Sequence, residues 1–113
     1  MNGLLTDLYE LTMAAGYFEA AKADEKATFE FTIRKLPPHR NFIVAAGLPQ
    51  VVDYLLNLSF TAEEIDYLRS LAQFRSTSPG FWDYLRGFRF TGDLFAVPEG
   101  TMSWDIFDWE WTS

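Results

Sequence analysis

Two stretches of the chain alternate as strands do, and three helical patterns lie between them. Residues 27–35, ATFEFTIRK, set Phe29, Phe31 and Ile33 on one side and Thr28, Glu30, Thr32 and Arg34 on the other. That is the period of a strand with one polar face. FRFTGDLFAVPEG, residues 88–100, is the second such stretch, with an irregularity at Gly92 and a Pro-Glu-Gly turn closing it. A pair of strands does not make an independently stable sheet. The fold must recruit more strands or remain incomplete.

The helical patterns are well marked. TAEEIDYLRSL opens with Thr61 and Glu64 spaced as a capping box and would bury Ile65, Leu68 and Leu71. VAAGLPQVVDYLLNL groups Val51, Val52, Leu55 and Leu56, with Pro49 in the first turn, where proline is tolerated. Ser78 and Pro79 are spaced as N-cap and first helical residue of a short helix through FWDYLRGF. The opening segment TDLYELTMAAGYF, residues 6–18, is the unusual one. At 100° per residue, Leu8, Leu11, Ala15 and Phe18 fall within an arc of about 80°, and Tyr9, Met13 and Tyr17 within a second arc of about 80°. Thr6 and Asp7 are both good N-caps, and Glu10 follows Asp7 by the capping-box interval. An ordinary surface helix has one apolar stripe. A core helix and a helix with one face on its own domain and the other on a partner or ligand are both open. The predicted order is helix, strand, three helices, strand. That order gives an α+β fold, or the opening of a mixed α/β domain.

Composition narrows the function classes. The chain has 113 residues, suited to one domain, and 49% of them are hydrophobic, which excludes disorder as the default. A net charge of −7 argues against nucleic acid and anionic membrane as partners. Cysteine is absent, which fits a reducing compartment. No signal-peptide pattern is seen, and FIVAAGLPQVV is too short and interrupted to span a bilayer. A cytoplasmic protein is expected.

Motifs of phosphate loops, dinucleotide folds, zinc hydrolases and nucleophile elbows are missing from the sequence. No catalytic or metal-ligating set stands out. His39, beside Arg40 in a proline-rich loop, suits a solvated histidine. Three residues remain as candidate binding groups. Asp7 and Tyr9 bracket the start of the first helix, and Arg34 ends the polar face of the first strand. A tyrosine can stack on a flat ring and an arginine can receive a phosphate. A surface pair between Arg34 and Glu30 is the plainer alternative.

TDLYELTMAAGYF, ATFEFTIRKLPPHRNFIVAAGL, FTAEEIDYLRSL and FRFTGDLFAVPEGT together resemble the N-terminal segment of nicotinate phosphoribosyltransferases, in the same order and spacing, over about residues 4–101. The resemblance implies a role in joining nicotinate to phosphoribosyl pyrophosphate, giving nicotinate mononucleotide for NAD salvage. ATP hydrolysis assists that ligase-like transferase step, with magnesium. It further implies that Asp7 and Tyr9 reach into the active site of a neighbouring subunit, where Tyr9 covers the pyridine ring, and that Arg34 approaches the phosphates across the same interface. The β/α barrel and the phosphorylatable histidine of the family are not among these residues. The implied domain is therefore an incomplete one, residues 1–101. Residues 102–113, an acidic tail bearing Trp104, Trp109 and Trp111, do not resemble the family. The expectation is a chain inactive alone that binds no cofactor by itself. Nicotinate and phosphoribosyl pyrophosphate would be met only with a complementing barrel, through homo-oligomer formation or association with a full-length subunit. A non-catalytic interaction module and one chain of a split enzyme are the alternatives.

Overall fold

The computed structural model describes residues 3–103 and 108–112. The chain divides into two units, Met1–Glu25 with Leu56–Arg89, and Lys26–Leu55 with Phe90–Ser113.

The first unit is helical. It contains α1 (Leu8–Glu19), α3 (Ala62–Arg69) and α4 (Pro79–Gly87), with short 3-10 turns at Gly3–Leu5 and Ala72–Phe74. Its core joins Leu11 and Ala15 of α1, Phe60, Ile65 and Leu68 around α3, Phe74, and Phe81, Trp82 and Leu85 of α4. Phe81 is fully enclosed at 0% exposure. The rings of Phe74 and Phe81 meet Trp82 edge-on, at centroid distances of 5.3 and 5.2 Å. That geometry aligns ring edges with ring faces and adds to the burial term.

Local sequence accounts for the helix ends. In α3 the Thr61 hydroxyl accepts from the Glu64 amide, and the Thr61 amide donates to the Glu64 carboxylate at 2.8 Å. The predicted capping box is formed. Two other predicted caps are replaced. Asp7 is the N-cap residue of α1, but its side chain makes no capping bond, and the Glu10 carboxylate accepts from the Thr6 hydroxyl. Ser78 precedes α4 without capping it from its own side chain. Its amide donates to Glu19 Oε1 at 2.9 Å, so the last residue of α1 anchors the start of α4. Helix α1 closes with a Schellman arrangement. Lys22 N donates to Tyr17 O and Ala21 N to Phe18 O, with Ala21 at φ 57.

The second unit carries the sheets. Strand β1 (Thr28–Thr32) and strand β3 (Asp93–Phe95) flank β5 (Asp108–Thr112) in an antiparallel sheet of order β1-β5-β3. Strand β2 (Ile43–Val44) pairs antiparallel with β4 (Met102–Ser103). The additional strands required by the two-strand sequence pattern are thus β2, β4 and β5, and β5 lies at the centre of its sheet. The register sets Thr28 opposite Thr112 and Thr32 opposite Asp108. At Gly92 the chain passes so near the Thr112 carbonyl that a Cβ would collide with it, which explains the glycine at the predicted irregularity. The first strand is shorter than its alternation suggested, and all five residues of β1 are exposed. Helix α2 (Leu48–Asn57) has Pro49 in its first turn, as expected, and leaves residues 44–47 of the predicted segment outside the helix; none of its residues is buried.

Candidate functional site

Helix α1 has two apolar faces, as its winding requires, and they meet different surroundings. Leu11 and Ala15 are buried in the helical core, with Phe18 packed against it. Tyr9, Met13 and Tyr17 are 59%, 47% and 51% exposed. The Tyr9 hydroxyl approaches Glu10 Oε1 at 3.5 Å, a long contact that leaves the ring held only loosely. Asp7, released from capping, and the Tyr9 ring therefore stand at the exposed start of a helix whose other face is fixed in a packed core. A fixed helix with an aromatic, acidic outer face can present a stacking ring and a hydrogen-bond acceptor at a set spacing.

Arg34 belongs to the second unit. It lies beyond the end of β1 and is exposed, at the start of the loop 33–42. No ion pair joins Arg34 to Glu30, so the plainer alternative for this arginine is not formed. Lys35 and Arg40 share the loop, and residues 31–52 contain no carboxylate although the chain as a whole carries a charge of −7. The loop is a cationic island on an acidic chain, suited to an anion. Within it, Arg40 N donates to Pro37 O at 3.2 Å, and His39 holds φ 64 at the third position of that turn. A positive φ there is the type II pattern that glycine or asparagine ordinarily fills. His39 is exposed, as its loop setting suggested.

The exit of the loop is bonded more fully. Past β2, Ala45 N donates to Thr101 O at 2.8 Å and Gly100 N to Ala45 O at 2.7 Å. Glu99 then reaches the first amides of α2. Its carboxylate accepts from Gly47 N at 2.9 and 3.2 Å and from Leu48 N at 2.8 Å. Sequence reasoning missed Glu99, because its partner helix begins 51 residues away and no local spacing marks the pair. The Pro-Glu-Gly turn, noted only as a strand terminator, was the available signal.

The family model described as the nicotinate phosphoribosyltransferase N-terminal domain matches residues 4–110. The chain belongs to the nicotinate phosphoribosyltransferase family. It is 48% identical over 102 residues to nicotinate phosphoribosyltransferase pncB2 of Mycobacterium tuberculosis, covering 90% of this chain and 21% of that protein. It is 38% identical over 100 residues to nicotinate phosphoribosyltransferase 2 of Arabidopsis thaliana, covering 88% of this chain and 18% of that protein. The crystal structure of human nicotinic acid phosphoribosyltransferase superposes with a TM-score of 0.77 at 31% identity, over 93% of this chain and 22% of that one. The chain thus spans about a fifth of the length of these relatives. The family match runs past residue 101 through β4 and into β5. The mixed helix and strand architecture is that of the family's N-terminal domain. Among the described residues, no helix is long and apolar enough to cross a membrane.

Proposed function

We propose that this segment serves a nicotinate phosphoribosyltransferase by supplying part of the rim of its active site. Tyr9 covers the pyridine ring of nicotinate, Asp7 accepts a hydrogen bond beside it, and Arg34 faces the phosphates of phosphoribosyl pyrophosphate. The observation that carries this reading is the exposed arc of Tyr9, Met13 and Tyr17 on a helix whose opposite face is buried. Rings left half in water at this spacing suit a surface that meets a second subunit. The partner is a homo-oligomer mate or a full-length subunit, in the cytoplasm, and the reaction is the ATP- and magnesium-assisted formation of nicotinate mononucleotide in NAD salvage.

The chemistry assigns this segment a supporting part. Departure of pyrophosphate from the ribose leaves positive charge at the anomeric carbon, and the enzyme must hold the pyridine nitrogen close to it while neutralising the leaving anion. Tyr9 would restrict the tilt of the ring, and Arg34 would add positive charge at the leaving group. Neither breaks or makes a bond, and one arginine on a loop does not form a complete phosphoribosyl site, which requires several donors on a rigid scaffold. No cofactor is assigned to this chain by itself.

The test is direct. Nicotinate, ATP, magnesium and phosphoribosyl pyrophosphate are incubated with the purified chain, and with a composite in which residues 1–101 replace the equivalent segment of the Mycobacterium relative. Nicotinate mononucleotide is expected from the composite and not from the chain. Turnover by the chain, free of host enzyme, overturns the supporting role. The same exposed face of α1 also suits a chain that associates with a separately encoded barrel, and a barrel reading frame directly downstream in the genome would identify that arrangement.

A further inference from the structure

We infer that Glu99 is a positioning residue for the cationic loop 33–42, acting as a clasp at the loop's exit. The inference rests on the phosphate-facing role proposed for Arg34 and adds to it the residue that holds the loop in place.

The loop closes one turn of its own, Arg40 N to Pro37 O, and two prolines remove amide donors from it. Its two stems fix where it begins and ends. The entry stem is β1, five residues paired with β5. The exit stem, β2, has two residues and two cross-strand partners, Ser103 and Met102. So short a ladder is weak by itself.

The turn at Pro98–Thr101 strengthens it. Thr101 N and Thr101 Oγ1 both donate to Pro98 O, at 3.1 and 2.6 Å, and Gly100 takes φ 84. That turn aims Glu99 at the first amides of α2. A carboxylate bonded to two successive amides at a helix start is charge-assisted and meets the positive end of the helix dipole. Gly47 holds φ 107, a conformation other residues rarely adopt, and its amide is one of the two donors. The exit of the loop is thereby tied at β2, at Ala45 and at Gly47–Leu48 to one continuous stretch, residues 99–103. Glu99 contributes a side chain to that set, and it carries a full charge.

A purely local helix cap and a loop clasp differ in what else moves when Glu99 is changed. The whole chain is labelled with nitrogen-15 and compared with Glu99→Gln and Glu99→Ala by amide hydrogen exchange, by backbone relaxation and by titration with inorganic pyrophosphate as the probe. In Glu99→Ala the Gly47 and Leu48 amides are expected to exchange at least about tenfold faster. Residues 33–42 gain fast motion, and the pyrophosphate midpoint read at the Arg34 and Arg40 amides rises severalfold. Glu99→Gln keeps an acceptor in place and recovers part of both effects. Unchanged exchange at Leu68 and Phe81 verifies that the helical unit is folded in each variant, and if Glu99→Ala loses the sheet unit the comparison is made on Glu99→Gln.

Faster exchange at Gly47 and Leu48, with the loop's motion and the pyrophosphate midpoint unmoved, overturns the inference and leaves a local cap. A loop whose motion depends on Glu99 but which never responds to pyrophosphate, even in the unaltered chain, upholds the clasp and removes the phosphate role of Arg34.

Discussion

Leu11→Ala and Met13→Ala make similar cuts on opposite faces of one helix, and the structure assigns them unequal costs. Leu11 is 6% exposed within the helical core, whereas Met13 is 47% exposed. Truncating a buried leucine removes its transfer energy and leaves a cavity, about 2–5 kcal/mol in total. Leu11 shares its core with side chains of α3 and α4, which can collapse in part, and about 3 kcal/mol is the expected loss. Full burial of a methionine is worth roughly 1.5–3 kcal/mol, and half-burial about 1. Alanine's better helix propensity returns a few tenths, so Met13→Ala should cost less than about 1 kcal/mol. Urea unfolding followed by far-UV circular dichroism reads both losses, with the slopes compared to verify that the unfolded states match. A loss above about 2 kcal/mol for Met13→Ala, near that of Leu11→Ala, would show that the second face is packed within this chain. The partner-facing role of Tyr9, Met13 and Tyr17 would then have no basis.

Ala21 occupies the left-handed position that ends α1, at φ 57, so Ala21→Gly should raise stability by about 0.5–1 kcal/mol in the same urea assay, despite removing a methyl group. The Glu19 carboxyl is held below its ordinary 4.5 by the hydroxyl and amide of Ser78. A depressed carboxyl contributes stability above its unfolded pKa and loses it as pH falls through the lower folded value. The melting temperatures of Glu19→Gln and the unaltered chain should accordingly differ at pH 7 and converge below 4.5; a gap that persists well into that acid range would sink the assignment. Exposed rings on α1 should cause self-association despite the charge of −7, seen as a light-scattering mass that rises with concentration, and a monomer across a wide range would count against it. In the composite enzyme, Tyr9→Ala should weaken nicotinate use by roughly 0.5–1.5 kcal/mol and Tyr9→Phe much less, while Arg34→Lys should impair phosphoribosyl pyrophosphate use more than nicotinate use, because lysine lacks the planar fork. Unchanged steady-state constants for Tyr9→Ala and Arg34→Lys would end the claim for both residues.

Where information is local, the sequence was readable. Thr61 and Glu64 cap each other across three residues, and the structure forms the bond that their spacing required. The two arcs of α1 also follow from winding alone. Asp7 and Glu10 show the limit of such patterns. The same spacing gives no side-chain capping bond at Asp7, and the Glu10 carboxylate accepts from Thr6, one residue outside the motif. Long-range pairings were less accessible. DWEWT alternates as a strand does, yet its indoles among acidic residues suggested a tail, and only its partners, 84 residues distant at Thr28 and Thr112, make it the centre of a sheet. Glu99 was hidden for the same reason. Of the candidate site, residue types and exposure were legible, whereas what fixes the loop around Arg34 was not.

The two units differ in how far they satisfy themselves. Among the described residues, the helical unit encloses nine buried hydrophobic ones, and the rings of Phe74 and Phe81 meet Trp82 edge-on. In the sheet unit, Ala45 is the buried hydrophobic among the described residues, while Phe29, Phe31 and Phe95 are 50%, 49% and 65% exposed. An antiparallel sheet tolerates one solvated face, not large rings left half in water on strands whose register is set by distant pairing. In the part of α2 that belongs to this unit, Val52 is 39% exposed. Two kinds of exposed aromatic are thereby separated. Those of the sheet follow from strand alternation and would be covered by any well-packed neighbour. Tyr9 and Tyr17 share their helix with a fully formed core, so fold completion does not require them to be covered. That difference is why the proposed partner contact is placed on α1 rather than on the sheet.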